Sequence, residues 1–163
     1  MLSILEAKYN GNKYPIYISD NAVSQLDLYL KDKNKKVIII CDECFKKKSL
    51  HVDNNFSKIL KKYKVFYFQA GIKNKNFTYV SKIINFFFKN NISRDYFVVS
   101  IGGGVVGDIS SFAASIYHRG LNLIHMPTSM TSMIDSAIGG KTGFNHFGVV
   151  NLCGTYYHPK ATF

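Results

Sequence analysis

"SIGGGVVGDISSFAASIYHRG" (Ser100–Gly120) decides how this chain reads. It is entered through "YFVVSI" (Tyr96–Ile101), a run of aromatic and β-branched residues with the pattern of a strand buried on both faces. Val105–Tyr117 continues it as a run of small and apolar residues of helical length, with Gly120 as its stop. Gly102, Gly103, Gly104 and Gly107 therefore fall where a strand hands over to a helix. A glycine-rich turn at such a junction lets backbone N–H groups come close to a phosphate, and the helix N-terminus favours its charge. The spacing, G-G-G-x-x-G-D, is not the G-x-G-x-x-G dinucleotide fingerprint. The same glycines also suit a tight turn that packs a helix closely onto a sheet.

Outward from this stretch, strand and helix patterns alternate. Two short β-prone runs between Ile4 and Ile18 are separated by Asn10-Gly11, a hairpin signal. Asp20 can cap a helix running to Leu30, with Val23, Leu26 and Leu30 at helical spacing. "KVIIIC" (Lys36–Cys41) is a buried-strand run, followed by a lysine-rich helical stretch near Phe56–Tyr63 and a strand at Val65–Gln69. Phe77–Lys89 carries Val80, Ile83, Ile84 and Phe87 on one helical face, and Leu121–Pro127 is a further strand closed by proline. The order predicts an α/β fold: one domain spanning 1–163, a doubly wound, mostly parallel Rossmann-like sheet with an N-terminal β-hairpin.

The formal net charge is +11, yet 17 of the 21 basic residues lie in residues 1–90 and 19 of the 21 are lysines. Neither an arginine-rich base-reading face nor a nucleic-acid motif accompanies them, so the lysines read as solvated helix faces. No apolar run reaches the roughly 18 residues of a membrane span, and the start lacks a secretory layout. The expectation is a cytoplasmic protein that binds neither nucleic acid nor membrane. Three cysteines give no disulfide framework. Cys41 and Cys44 form a C-x-x-C at a strand end, open to a redox reading and to that of two ordinary cysteines.

Candidate site residues cluster in the last third of the chain. Thr128 and Ser129 follow Pro127 at the same sheet edge as the glycine turn, and Asp135, Lys141 and Asn151 fall in or beside "TSMIDSAIGGKTGFNH". Gly140-Lys141-Thr142 imitates the tail of a P-loop, but Asp135 stands where its first glycine belongs. Lys141 can still hold an anionic group beside a nucleotide pocket. His118, His125, His146 and His158 show no ligand spacing, which leaves no metal site.

Together these residues, "GGGVVGD…FAAS.Y.RG…..MPTS….DS..GGKTG.NH", resemble the 3-dehydroquinate synthases of the shikimate pathway. The resemblance is densest from Tyr96 to Lys160. It implies an NAD-binding α/β domain followed by an all-helical domain, usually in a homodimer. It further implies NAD- and metal-dependent cyclisation of 3-deoxy-arabino-heptulosonate 7-phosphate, a sugar phosphate, with loss of phosphate. By position, Gly102, Gly103, Gly104, Val105, Val106, Gly107 and Asp108 would meet the NAD pyrophosphate and ribose, with Gly71 and Lys75 beside them. Thr128 and Ser129 would flank the nicotinamide, Asp135 and Lys141 would face nicotinamide and substrate, and Asn151 the substrate. Arg119 would reach the substrate phosphate, across a dimer interface.

Three departures from the family pattern stand out. The ribose-binding Asp-Gly-Glu-x-x-Lys is "AGIKNK" here, with Ala70 and Ile72 replacing both carboxylates. Gly-Lys-Asn is Val149-Val150-Asn151, which removes a lysine. The family's zinc or cobalt ligands belong to the helical domain, which is expected to be absent from these 163 residues. The expectation is then a truncated chain inactive alone, in a homodimer or beside a separate chain that carries that domain. The alternatives are a residual NAD- or nucleotide-binding or interaction module, or one piece of a split enzyme.

Overall fold

A computed structural model describes residues 1–9, 12–32, 35–48 and 54–163. In chain order it contains β1 (Leu2–Tyr9), β2 (Asn12–Ser19), α1 (Ala22–Asp32), β3 (Val37–Asp42), α2 (Cys44–Lys48), α3 (Asn54–Lys62) and β4 (Lys64–Phe68). A 3₁₀ turn (Ile72–Asn74) precedes α4 (Phe77–Lys89), β5 (Phe97–Gly102) and α5 (Gly104–Ile116). A second 3₁₀ turn (Tyr117–Arg119), β6 (Asn122–Pro127) and a π-helical turn (Ser132–Ser136) follow, then β7 (Phe144–His146), β8 (Val149–Cys153) and β9 (Ala161–Thr162).

Seven strands form one sheet in the order β1-β2-β9-β6-β5-β3-β4. Only β1 runs antiparallel to its neighbour, β2, as the N-terminal hairpin predicts; the Asn10-Gly11 turn itself lies outside the described residues. The unbroken apolar runs of β3 and β5 are explained by helices on both faces. Ile38 and Ile40 point into a core with Val80, Ile83 and Phe87 of α4 and Ile109 and Ala113 of α5. The alternate residues Ile39 and Cys41 point into a second core with Leu26 and Leu30 of α1 and Phe56 and Ile59 of α3.

Several local expectations shift. Helix α1 starts at Ala22, and Asp20 does not cap it: its carboxylate takes the Met1 ammonium at 2.9 Å, while Ser19 Oγ accepts from Asn21 N–H at 3.1 Å. Helix α4 is capped by Asn76, whose Oδ1 accepts from Tyr79 N–H at 3.2 Å. The antiparallel hairpin β7–β8 forms within a segment that reads as polar and small. Strand β9 fills the gap between β2 and β6.

The strand order also fixes where a ligand belongs. From β3 the chain crosses outward to β4, whereas from β5 it crosses the other way to β6. Since β3 and β5 are neighbours, their carboxyl ends flank a crevice at the switch in direction, the ligand position of open parallel sheets.

Candidate functional site

The glycine turn opens α5 at this crevice. No side chain caps the helix, so the N–H groups of Gly104, Val105 and Val106 face outward without an intrahelical acceptor. Each glycine has its own reason. At Gly102 a Cβ would lie 2.7 Å from the Cβ of buried Val106, so packing excludes a side chain there. At Gly103 and Gly104 a Cβ would meet nothing closer than Ser129 Oγ and Ser136 Oγ, both at 3.5 Å. Gly103 has the extended φ and ψ of −76° and −175°, which any residue adopts. Neither packing nor backbone conformation calls for glycine at these two positions.

Thr128 and Ser129 stand against the same turn. Thr128 N–H donates to Gly102 O at 3.0 Å, and Ser129 Oγ lies 2.9 Å from Ser132 Oγ in the π-helical turn. That turn presents Asp135, whose carboxylate accepts from Lys141 Nζ at 2.7 Å. The same hydrogen bond raises the Lys141 pKa from its ordinary value. Lys141 is aimed by the glycines before it. Gly139 N–H donates to the Tyr14 hydroxyl at 3.2 Å, and Gly140 O accepts from Tyr157 N–H at 2.7 Å.

Across the opening, Lys75 Nζ donates to the Asp108 carboxylate and to Asn151 Oδ1. Burial raises the Asp108 pKa, and the adjacent Lys75 ammonium opposes that shift. Asp108, Asp135, Lys141, Asn151, Thr155 and Tyr156 thus line a cleft of about 440 Å³. The cleft offers two carboxylates, an exposed ammonium and an amide, and its Ser136 reaches to the glycine turn at Gly104. Such an arrangement suits a polyhydroxylated, anionic ligand.

Gly71 precedes the 3₁₀ turn at φ 140°, and Ile72 beside it is 60% exposed. Arg119 is not brought to the cleft. It follows the far end of α5, about 20 Å along the helix from Gly104 at 1.5 Å per residue. His125 is buried in β6 with Nε2 3.1 Å from Ser111 Oγ, and burial pushes its pKa down to about 4. His118 Nε2 lies 3.1 Å from Ile92 O, His146 is exposed on β7, and the His158 ring packs at a tilt against Tyr9, 4.3 Å between centroids. Cys41 is buried in β3 with its thiol pushed up to about 12 by burial, so the C-x-x-C reads as two ordinary cysteines. The sequence reading missed Ser136, which lines the cleft, and did not weigh Asp42, at the carboxyl end of β3, whose Oδ1 accepts from Cys44 N–H at 2.9 Å. A strand-end carboxylate next to the strand that enters the glycine turn is the signal that finds Asp42.

A family model described as 3-dehydroquinate synthase N-terminal matches residues 65–163. The 3-dehydroquinate synthase of Buchnera aphidicola subsp. Cinara cedri is 38% identical over 167 residues, covering 100% of this chain and 45% of that protein. That of Alkaliphilus oremlandii is 38% identical over 167 residues, covering 98% of this chain and 45% of its own length. The chain thus spans about half the length of the curated relatives it matches. Among solved structures, 2-deoxy-scyllo-inosose synthase complexed with carbaglucose-6-phosphate, NAD⁺ and Co²⁺ superposes with a TM-score of 0.85 at 24% identity, over 99% of this chain and 44% of that one. The 2-epi-5-epi-valiolone synthase of Streptomyces hygroscopicus with NAD⁺ and Zn²⁺ bound gives 0.80 at 24%, over 96% and 44%. Those two likenesses establish the fold.

Proposed function

Since the chain belongs to the 3-dehydroquinate synthase family, we propose that its cleft binds NAD and serves the cyclisation of 3-deoxy-arabino-heptulosonate 7-phosphate to 3-dehydroquinate. The observation that carries the cofactor reading is the pair Gly103 and Gly104. Room for a Cβ exists at both, yet both lack one, which keeps the space above the free N–H groups of α5 for a ligand.

In this reading Gly104, Val105 and Val106 donate backbone hydrogen bonds to the pyrophosphate, and Asp108 accepts from a ribose hydroxyl. Asp42, at the carboxyl end of the neighbouring strand β3, accepts from the other ribose in this reading. Thr128 and Ser129 border the nicotinamide. NAD, when bound, supplies a hydride acceptor. Lys141 holds an anionic group of the sugar phosphate and is itself oriented by Asp135. Asn151 offers its amide to the sugar hydroxyls. Arg119 serves the substrate phosphate only where a second copy of the chain carries it over, because α5 separates it from its own cleft.

Among the described residues no group of three His, Cys, Asp or Glu side chains is assembled to hold a metal ion. Ala70 and Ile72 offer no acceptor where the family pattern has carboxylates. Each missing charged bond weakens binding by about 1.5–3 kcal/mol, or one to two powers of ten.

Isothermal calorimetry tests the cofactor reading. A saturable, equimolar heat with NAD, competed by ADP, is expected. No heat at the highest soluble protein concentration overturns it. No helix among the described residues is long and apolar enough to cross a membrane.

A further inference from the structure

Lys75 is only 6% exposed although it carries an ammonium group. A buried cation needs partners, and this one has two from different elements: the carboxylate of Asp108 on α5 and Oδ1 of Asn151 on β8. Its backbone joins in, since Lys75 O accepts from Asn145 N–H of β7 at 2.8 Å. Asn145 Oδ1 in turn accepts from Asn151 N–H at 2.9 Å, which holds Asn151 in the left-handed region at φ 54°. Three hydrogen bonds thus tie the hairpin β7–β8 and α5 to Lys75 in the turn after β4, and a fourth braces the hairpin internally. Two of the residues so held, Asp108 and Asn151, line the cleft.

We propose that Lys75 is a positioning residue: it clasps β7–β8 to α5 and seats Asp108 and Asn151 together. Its ammonium is directed at protein acceptors and sealed from solvent, whereas the Lys141–Asp135 pair is exposed to solvent. Any effect on NAD binding rests on the function proposed above; the seating of the hairpin does not.

The experiment follows Lys75→Met without any ligand. The Asp108 carboxyl, read by its ¹³Cγ shift, should titrate about one pH unit higher, a tenfold gain in proton affinity. The amides of Asn145 and Asn151 should exchange at least about tenfold faster, while those of Val98 and Leu123 in the sheet keep their protection. Lys75→Met leaves a buried carboxylate without its cation, so Lys75→Met/Asp108→Asn is measured beside it. The double variant should fold and show the same fast exchange at the hairpin. Unchanged protection of Asn145 and Asn151 in either variant overturns the proposal, as does an unmoved Asp108 titration. A wild-type chain that fails to bind NAD removes the cofactor reading and leaves these ligand-free results standing.

Discussion

Four glycines in six residues look alike in the sequence and differ once their surroundings are known. Gly102 is held by the Val106 side chain at 2.7 Å, whereas Gly104 has open room to 3.5 Å. Gly102→Ala therefore overpacks the junction of β5 and α5 and should cost about 1–3 kcal/mol of stability. Gly104→Ala should leave stability unchanged or raise it by up to about 1 kcal/mol, because alanine restricts the unfolded chain. If a pyrophosphate sits on the turn, that methyl group should nonetheless weaken NAD binding by at least about tenfold, a loss of 1.4 kcal/mol. Urea titration and calorimetry on the two variants check the contrast. Equal NAD affinity in Gly104→Ala and wild type would count against the pyrophosphate position. The two cysteines of C-x-x-C separate in the same manner. Burial raises the Cys41 thiol to about 12, while Cys44 is exposed at the start of α2. Mass spectrometry after iodoacetamide treatment at neutral pH should find Cys44 alkylated and Cys41 intact, and fast labelling of Cys41 would contradict its burial.

At the scale of elements, the hairpin β7–β8 shows what the sequence hides. Its two-residue loop, Phe147-Gly148, has φ of 49° and 76°, the positive pair of a type I′ turn. Asparagine-glycine is the usual signal for that turn, and phenylalanine at the first position masks it. The Phe147 side chain is 87% exposed, so it gains little burial in return for the left-handed backbone. Phe147→Asn should stabilise the protein by about 0.5–1 kcal/mol, a rise of roughly 1–4 °C in Tm for a chain of this size. A fall in Tm would show that the ring contact with His146, at 4.0 Å between centroids, outweighs the backbone strain. The parallel strands and helices α4 and α5 were legible because their apolar residues keep one period over a whole element. The clasp on Lys75 was not, since it depends on side chains that meet only after folding, whereas Asn76 caps α4 through a local bond from Tyr79 N–H that the apolar pattern alone does not mark. Lys75 and Asn151 are 76 residues apart, and no local pattern links them. Asp108, Asp135, Lys141 and Asn151 line one cleft, whereas Arg119 lies beyond the far end of α5.

For the whole molecule, binding and stability meet beneath α5. The glycine half of that helix lies close to the sheet, and the space below it is polar: Ser110 Oγ donates to Ser100 Oγ at 2.7 Å, and Ser111 Oγ sits 3.1 Å from His125 Nε2. His125 pairs in register with Ser100 of β5 and Thr162 of β9, so it occupies the centre of the parallel sheet. No acidic side chain contributes to its shift, and burial alone lowers its pKa from 6.5 to about 4. Folding therefore requires the neutral imidazole, while the unfolded chain takes up a proton as pH falls below 6.5. The unfolded state binds more protons between these two values, so stability rises with pH across that window and is lost on acidification. From pH 7 down to about 4.5 this one group should cost about 2–3 kcal/mol. Urea unfolding of the wild type and of His125→Asn at both pH values isolates it. Asparagine cannot take up the proton, so the variant should lose less stability on acidification by that amount, whatever its stability at pH 7. Equal acid losses in the two proteins would mean that His125 is charged in the fold, and the close seat of α5 on the sheet would then need another explanation.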